Sequence, residues 1–180
     1  MARPARNASP ENILSSARTF FATTKTSQGR ALLQSERNAT LMIDVLRSYV
    51  AARKFCLHDF VVMPDHVHVL LTVGADMTIE KAMQFIKGGF SNRLKKECGY
   101  LGDVWQRGFS EVRVENPQSF LKHRDYIAAN PVRGACFSLM PQGFCDNRNA
   151  GWARQLAAFA EGSAPRAASS VGDWKNVEVR

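Results

Sequence analysis

The sequence predicts an α+β domain in which two helices pack against one face of an antiparallel sheet. Segments with the composition of strands begin near residues 19, 55, 66 and 110, and segments with helical periodicity separate them. The elements therefore follow in the order β-α-β-β-α-β, with one more helix at the end. This order is typical of the ferredoxin-like split βαβ sandwich, which leaves the second face of its sheet free for a site.

The first three strands and the first helix have clear boundaries. Residues 19–26 (TFFATTKT) predict a strand because they are rich in Thr and Phe. Residues 35–53 predict a helix, since apolar side chains recur at helical spacing and Ser35 can act as the N-cap. Residues 55–63 predict a second strand, which the turn pair Pro64-Asp65 ends before a third strand at 66–73.

The second half of the domain begins with a long helix over residues 78–98. We expect the pair Gly88-Gly89 to interrupt this helix and to let a backbone approach closely. A short strand follows at 110–114. Asn116 then caps a final helix, with Pro117 at the first helical position, where a missing N–H costs nothing.

The composition divides the chain into three parts. Residues 1–17 predict a flexible arm, residues 18–140 the folded domain, and residues 141–180 an extension that is largely a tail, with one short helix at 151–161. Lys and Arg number 24 against 16 Asp and Glu, so the formal charge of +8 favours a nucleic-acid partner.

The chain shows neither a signal peptide nor an apolar run long enough to cross a membrane. The four cysteines are too widely spaced for a zinc pattern, and we expect free thiols in a reducing cytoplasm. We therefore expect a cytoplasmic protein without membrane contact.

The third predicted strand carries two histidines on one face. Side chains alternate along a strand, so His66 and His68 share a face while Val67 and Val69 point towards the helices. Two neighbouring imidazoles can reach one metal ion. The alternative is a pair of polar residues on a half-exposed strand.

The final helix places three polar side chains on one flank. Tyr126 and Asn130 are four residues apart, and His123 lies one turn earlier. The side expected to be apolar consists of Phe120, Leu121, Arg124, Ile127 and Ala128. In the alternative interpretation, Tyr126 packs at the core boundary and Asn130 ends the helix before Pro131.

Four sequence blocks occur in order along the chain: MPDHVHVLLT at 63–72, MQFIKGGFSNRLKKE at 83–97, WQRGF at 105–109 and HRDYIAANPVRGA at 123–135. With these blocks the chain resembles the REP-associated tyrosine transposases, a branch of the single-tyrosine HUH transposases. The resemblance covers about residues 18 to 137.

The resemblance implies a catalytic site and a reaction. Tyr126 would be the nucleophile, and His66, His68 and Asn130 would hold Mg²⁺ or Mn²⁺. The enzyme would cleave and rejoin hairpin-associated single-stranded DNA through a 5′-phosphotyrosine intermediate. It would act on bacterial nucleoid DNA without a small-molecule cofactor. We expect a monomer and leave a dimer open.

A free phenol is mostly protonated near neutral pH, so His123 is a candidate base or orienting partner of the nucleophile. A phosphate contact, or no role at all, is the alternative for this histidine.

Basic residues of the second helix and later segments form the predicted DNA-binding set. The set is Lys87, Arg93, Lys95, Lys96, Arg107, Arg124 and Arg133. A solvated helix face is the alternative for the helical members, and Trp105 and Phe109 can equally belong to the core. For the whole chain, a non-cleaving hairpin-DNA-binding protein and a metal-dependent nuclease without a covalent intermediate stay open.

Overall fold

The computed structural model describes residues 17–130. The elements are β1 (Arg18–Lys25), α1 (Glu36–Ala51), β2 (Cys56–Val62), β3 (His66–Val73), α2 (Ile79–Cys98), β4 (Ser110–Val114) and α3 (Pro117–Ala129), with a short 3-10 turn at Ser27–Gly29. The predicted order is confirmed, and each predicted boundary lies within two residues of the observed one.

The four strands form one antiparallel sheet in the order β2-β3-β1-β4. Both β1 and β3 are central, since β1 pairs with β3 and β4 while β3 also pairs with β2. This arrangement confirms the ferredoxin-like split βαβ prediction. It also places the histidine strand beside β1, although the paired residues lie 41 to 55 positions apart along the chain.

The main core lies between one face of the sheet and helices α1 and α2. The valine face of β3 contributes to it as predicted, and so do the apolar sides of both helices. A second, smaller apolar cluster lies on the opposite face, where Phe120 and Ile127 of α3 pack on Val61, Leu70 and Val114. The second face is therefore not left free, because α3 buries its apolar stripe there.

Side-chain caps begin the helices as the sequence predicts. The hydroxyl of Ser35 accepts a hydrogen bond from the backbone N–H of Asn38 at 3.3 Å. Asn116 accepts one from the backbone N–H of Ser119 at 2.8 Å, and Pro117 occupies the first turn of α3. The start of α3 is thus well defined, which fixes the angular position of every side chain on it.

Helix α2 runs without interruption through Gly88 and Gly89, so the predicted break is wrong. Gly89 instead allows α1 to approach. A Cβ built at Gly89 would lie 2.8 Å from Cε2 of Tyr49 and 3.1 Å from Cγ1 of Val45, whereas nothing lies within 4 Å of a Cβ at Gly88. The close approach is therefore between two helices and involves one of the two glycines.

The two glycines offer a matched test of this packing. Gly88→Ala should raise the free energy of unfolding by about 0.5–1 kcal/mol, because alanine favours an exposed helix. Gly89→Ala should lower it by about 1–2 kcal/mol, because the overpacking at Tyr49 and Val45 outweighs the gain in helix propensity. Chemical denaturation of both variants checks this, and a stabilised Gly89→Ala would contradict the assigned close approach.

Several predictions fall on residues outside the part of the chain that the structure describes. The arm up to residue 16, the extension from residue 141, the helix at 151–161 and Arg133 all lie outside this part and stay predictions.

Within the described residues, Cys98 is a free thiol, but Cys56 is disulfide-bonded, so the expectation of free thiols is wrong for Cys56. None of the helices between residues 17 and 130 combines the length and apolar character that a membrane crossing requires.

Candidate active site

The two histidines of β3 converge on one point on the face that carries α3. Their Nε2 atoms lie 3.1 Å apart, and their ring planes meet at 80°. His68 is buried, with 5% of its surface exposed, whereas His66 at the strand entrance is half-buried. The strand alternation that predicted a shared face is therefore confirmed, and the two rings direct the same nitrogen at each other.

The other nitrogen of each ring has a partner. Nδ1 of His66 lies 2.6 Å from Oδ1 of Asp65, and Nδ1 of His68 lies 2.7 Å from Oγ1 of Thr23. Burial lowers the pKa of His68 to about 3, with smaller effects in the same direction from His66 and Lys25. His68 is thus a neutral imidazole at physiological pH, the form that binds metals.

The spacing of the two Nε2 atoms suits a shared divalent cation. Two ligands bound at about 2.0–2.2 Å and at right angles to each other lie about 3 Å apart. No group of three or more His, Cys, Asp and Glu side chains that could hold a metal occurs between residues 17 and 130.

Tyr126 of α3 lies against the same histidines. Its ring centroid is 5.2 Å from that of His68, in an edge-to-face arrangement at 80°. The side chain is 49% exposed, so a substrate can reach it. A phenol and the histidine pair therefore meet within a single chain, and neither part has to be supplied by a second copy.

Phe21 of β1 organises the aromatic part of the site. Its ring stacks on His123 at 4.4 Å and on His68 at 5.3 Å, and it meets the edge of Tyr126 at 5.7 Å. Aromatic pairs at these distances stabilise by about 0.5–1.5 kcal/mol each beyond their buried area. Phe21 thus connects the histidine strand with the helix that carries the tyrosine.

His123 lies on the sheet-facing side of α3 because it stacks on Phe21. Burial lowers its pKa, and Lys122 acts in the same direction. Within residues 17–130 no hydrogen bond joins His123 to Tyr126, so its role as a base stays a prediction. The predicted apolar side of α3 is corrected for Leu121 and Ala128, which are exposed, because the helix buries Phe120 and Ile127 and turns the half-buried His123 towards Phe21.

Asn130 ends α3, as the alternative interpretation required. Its Nδ2 donates a hydrogen bond to the carbonyl oxygen of Tyr126 at 2.7 Å. This bond holds the carboxamide against the last turn of the helix that carries the tyrosine. A metal-binding role for Asn130 stays a prediction.

A β-bulge in β2 docks α3 onto the sheet. The pairing with β3 shifts between Leu57 and Asp59, which leaves His58 as the extra residue. His58 meets the ring of Phe120 at 5.1 Å, and the carboxylate of Asp59 lies 3.8 Å from Nε of Arg124. Bulges re-aim side chains in this way close to functional sites.

The ion pair with Asp59 gives Arg124 a structural role. Asp59 is 4% exposed, and burial raises its pKa, although the backbone N–H of Phe60 and the charge of Arg124 act in the opposite direction. The guanidinium therefore offsets a buried carboxylate under α3. A DNA contact by Arg124 stays a prediction beside this role.

The predicted basic residues of α2 lie on the other layer of the domain. Helix α2 packs on the sheet face opposite the histidines, and Arg93, Lys95 and Lys96 belong to it. Nε of Arg93 forms an ion pair with Oε1 of Glu97 at 2.6 Å. Lys87 donates to the carbonyls of Gln106 and Gly108, and burial lowers its pKa. Lys87 thus supports the loop before β4, and its predicted DNA contact is untested.

The loop before β4 reaches the histidine end of the sheet. The backbone N–H of Gln106 donates to the carbonyl of Lys25 at 2.9 Å, and Lys25 is paired with His66 across β1 and β3. Arg107 is exposed on this loop. Trp105 packs on the main core and donates from Nε1 to the carbonyl of Lys87 at 3.0 Å, which supports the core alternative for its ring.

Four residues of this site were missed in the sequence: Phe21, Thr23, Lys25 and Asp65. Three of them alternate along β1, so they share the face of the histidines once β1 is known to pair with β3. The fourth lies in the turn immediately before His66. The alternation of β1 was available in the sequence, but its orientation and neighbour were not.

The arrangement combines groups needed to transfer a phosphodiester. A reachable phenol can attack phosphorus, two neutral imidazoles can share a cation, and Lys25 adds positive charge on the same face.

Comparison with known proteins identifies the family. The family model described as IS200-like transposase matches residues 21–130. The structure of a REP-associated tyrosine transposase bound to a REP hairpin has a TM-score of 0.57 and 25% sequence identity, over 97% of this chain and 96% of that chain. The predicted resemblance is thereby confirmed.

Two further proteins are similar over part of the chain. A crystal structure of a Deinococcus radiodurans protein shares the fold, with a TM-score of 0.50 and 19% identity over 71% of this chain and 97% of that chain. An uncharacterized Haemophilus influenzae protein is 24% identical in a match that covers 42% of this chain and 54% of that relative, so the match spans about half of the curated relative. With the family model covering most of the described residues, the chain belongs to the IS200-like transposase family.

Proposed function

We propose that this chain cleaves and rejoins single-stranded, hairpin-associated DNA through a covalent bond between Tyr126 and a 5′ phosphate. The observation that carries the proposal is the contact between the exposed phenol and the converging histidines of the same chain. The similar solved structure is bound to a REP hairpin, which supports hairpin DNA as the substrate class.

In the proposed reaction, the phenol oxygen of Tyr126 attacks phosphorus and the bond to the 3′ oxygen breaks. The leaving oxygen takes up a proton and becomes a 3′-hydroxyl, while the phenol proton passes to solvent at the half-exposed side chain. One phosphate ester replaces another, so the bond energy is retained. A 3′-hydroxyl can later attack the phosphotyrosine and rejoin the strand without ATP.

The histidine pair would hold Mg²⁺ or Mn²⁺ through the two Nε2 atoms, and Asn130 is the proposed third protein ligand. Two neutral imidazoles and an amide leave the cation its full positive charge. When bound, the cation would polarise the scissile phosphate and offset its negative charge. The 3.1 Å spacing of the Nε2 atoms and the neutral state of His68 support this ligand set.

The experiment that tests the proposed function is an adduct assay on a denaturing gel. The full chain is incubated with hairpin-bearing single-stranded DNA and Mg²⁺ or Mn²⁺. A covalent protein–DNA band with one free 3′-hydroxyl end supports the proposal. Two free DNA ends without an adduct indicate a metal-dependent nuclease, and intact but bound DNA indicates a non-cleaving binding protein.

We propose Lys25 and Arg107 as the basic residues that guide the strand to the site. Lys25 lies on the histidine face, in register with His66, and the loop of Arg107 is hydrogen-bonded to the backbone of Lys25. By contrast, Lys95 and Lys96 lie in the last turn of α2, on the opposite layer. We therefore expect the basic residues near the histidine face to contribute more to DNA affinity than those on α2.

Lys25→Ala and Arg107→Ala should each weaken single-stranded DNA binding by about 3–10-fold near 0.15 M salt, because each loses one phosphate contact. Each should also lower the slope of log affinity against log salt by about one. Lys95→Ala and Lys96→Ala are the matched controls and should change affinity by less than about twofold. Fluorescence anisotropy at several salt concentrations measures these values, and equal losses in all four variants would refute the assigned path.

A further inference from the structure

We infer that Asp65 and Thr23 are positioning residues that aim the two site histidines, and that Asp65 also sets the tautomer of His66. The inference rests on the proposed role of His66 and His68 as metal ligands. Each of the two residues contacts the ring nitrogen that faces away from the shared point. Asp65 lies in the turn before β3 and Thr23 lies on the neighbouring strand β1, so the two histidines are held from two directions.

Asp65 is held in place by a buried residue. Its carbonyl oxygen accepts hydrogen bonds from the backbone N–H of Thr26 at 2.8 Å and from the Thr26 hydroxyl at 2.9 Å. Thr26 is fully buried, and the turn is closed by a bond from the N–H of Met63 to the carbonyl of His66. These hydrogen bonds fix the backbone of Asp65, which limits the positions that its carboxylate can take.

An ionised carboxylate can only accept hydrogen bonds. The 2.6 Å contact with Asp65 thus places the proton of a neutral His66 on Nδ1 and leaves the lone pair on Nε2. A carboxylate behind an imidazole also raises the basicity of the nitrogen opposite. Asp65 is therefore suited to prepare His66 as a ligand through Nε2.

Thr23 holds the ring of His68 in place from the neighbouring strand. The two residues are direct partners in the β1–β3 register, and Oγ1 lies 2.7 Å from Nδ1. A hydroxyl can donate or accept, so Thr23 can accept from Nδ1 whenever Nε2 of His68 binds a cation. Because His68 is buried, its ring has few other polar partners to fix its rotation.

The convergence of the histidines depends on both contacts. Their Nε2 atoms lie within hydrogen-bond distance, at 3.1 Å, because each ring is rotated to direct Nε2 inwards, at 80° to the other ring. Rotation about the bond that joins ring and chain is otherwise broad. Losing such a supporting hydrogen bond typically lowers metal affinity by about 10–100-fold.

The test measures Mn²⁺ affinity and histidine tautomers in the full chain. Asp65→Ala and Thr23→Val remove one contact each, and Thr23→Ser restores the hydroxyl. Asp76→Ala, in the turn before α2, and Thr40→Val, on α1, replace the same residue types at exposed positions and are the matched controls. Calorimetric titration with Mn²⁺ gives affinity, and ¹⁵N spectra of the metal-free chain, which has four histidines, give the tautomers.

We expect Mn²⁺ to bind about tenfold or more weakly in Asp65→Ala and Thr23→Val, and normally in Thr23→Ser and in both controls. The ¹⁵N spectrum should show His66 protonated on Nδ1, and Asp65→Ala should mix its two tautomers. Unchanged affinity and tautomers in a folded Asp65→Ala would overturn the inference. If the unaltered chain and His66→Ala bind Mn²⁺ equally, the proposed metal site itself fails, which is a different result.

Discussion

Tyr126→Phe is expected to abolish the covalent protein–DNA adduct and to reduce strand cleavage by at least about a thousandfold, as loss of a nucleophile does in other enzymes. The substitution removes only the hydroxyl oxygen. The ring contacts with His68 and Phe21 are retained, and the side chain is half-exposed, so the free energy of unfolding should change by less than about 0.5 kcal/mol. DNA affinity should stay within about twofold, since phosphate contacts carry most of it.

Tyr100→Phe is the matched control for this variant. Tyr100 is one of three tyrosines in the chain and lies in the loop before β4, away from the histidines, with its hydroxyl near the carbonyl of Asp103. It should form the adduct at the normal rate. An adduct that persists in Tyr126→Phe would show that another residue is the nucleophile.

His66→Ala is expected to lose cleavage by about a hundredfold or more while keeping most of its DNA binding. The substitution removes one of the two Nε2 atoms that would hold the cation, so the phosphate charge is no longer offset. His66 is the better choice than His68, because His68 is buried and stacks on Phe21, so its removal would also disturb packing. The residual activity of His66→Ala should no longer respond to Mg²⁺, Mn²⁺ or a chelator.

The measurement is the initial cleavage rate of a labelled hairpin substrate as a function of metal concentration. Circular dichroism confirms that the variant is folded. Full activity of His66→Ala, with or without chelator, would show that cleavage needs no metal at the histidines, but it would leave the role of Tyr126 as nucleophile open. The two variants thus test separate parts of the site.

Local patterns in the sequence were sufficient for the elements and for the faces of single elements. Alternation placed His66 and His68 on one face of β3, and Asn116 with Pro117 predicted the start of α3. These features depend on neighbours within a few residues. Local periodicity reports such relations directly, which is why the boundaries agree closely.

Contacts between distant segments could not be predicted in the same way. Thr23 reaches His68, and Lys25 lies beside His66, only because β1 pairs with β3 in one particular register. A shift by one residue would turn both side chains to the other face. Nothing local in TFFATTKT specifies that register.

The same limitation explains the two errors in the long helix and the last helix. Gly89 looks like a helix breaker in isolation, but its missing side chain is required by Tyr49 of α1. Leu121 was expected to be buried because it is apolar, yet the docking of α3 on Phe21 and on the bulge of β2 turns it outwards. In both cases a tertiary contact outweighs the local preference.

Mass spectrometry of the trapped adduct shows whether Tyr126 forms the covalent bond to DNA. Trypsin should release Tyr126 within residues 125–133, between Arg124 and the end of the NPVR segment. We expect this peptide to carry a 5′-phosphate-linked nucleotide on Tyr126, and the peptides with Tyr49 and Tyr100 to be unmodified. A nucleotide on any other residue, or cleavage without a covalent peptide, would contradict this expectation.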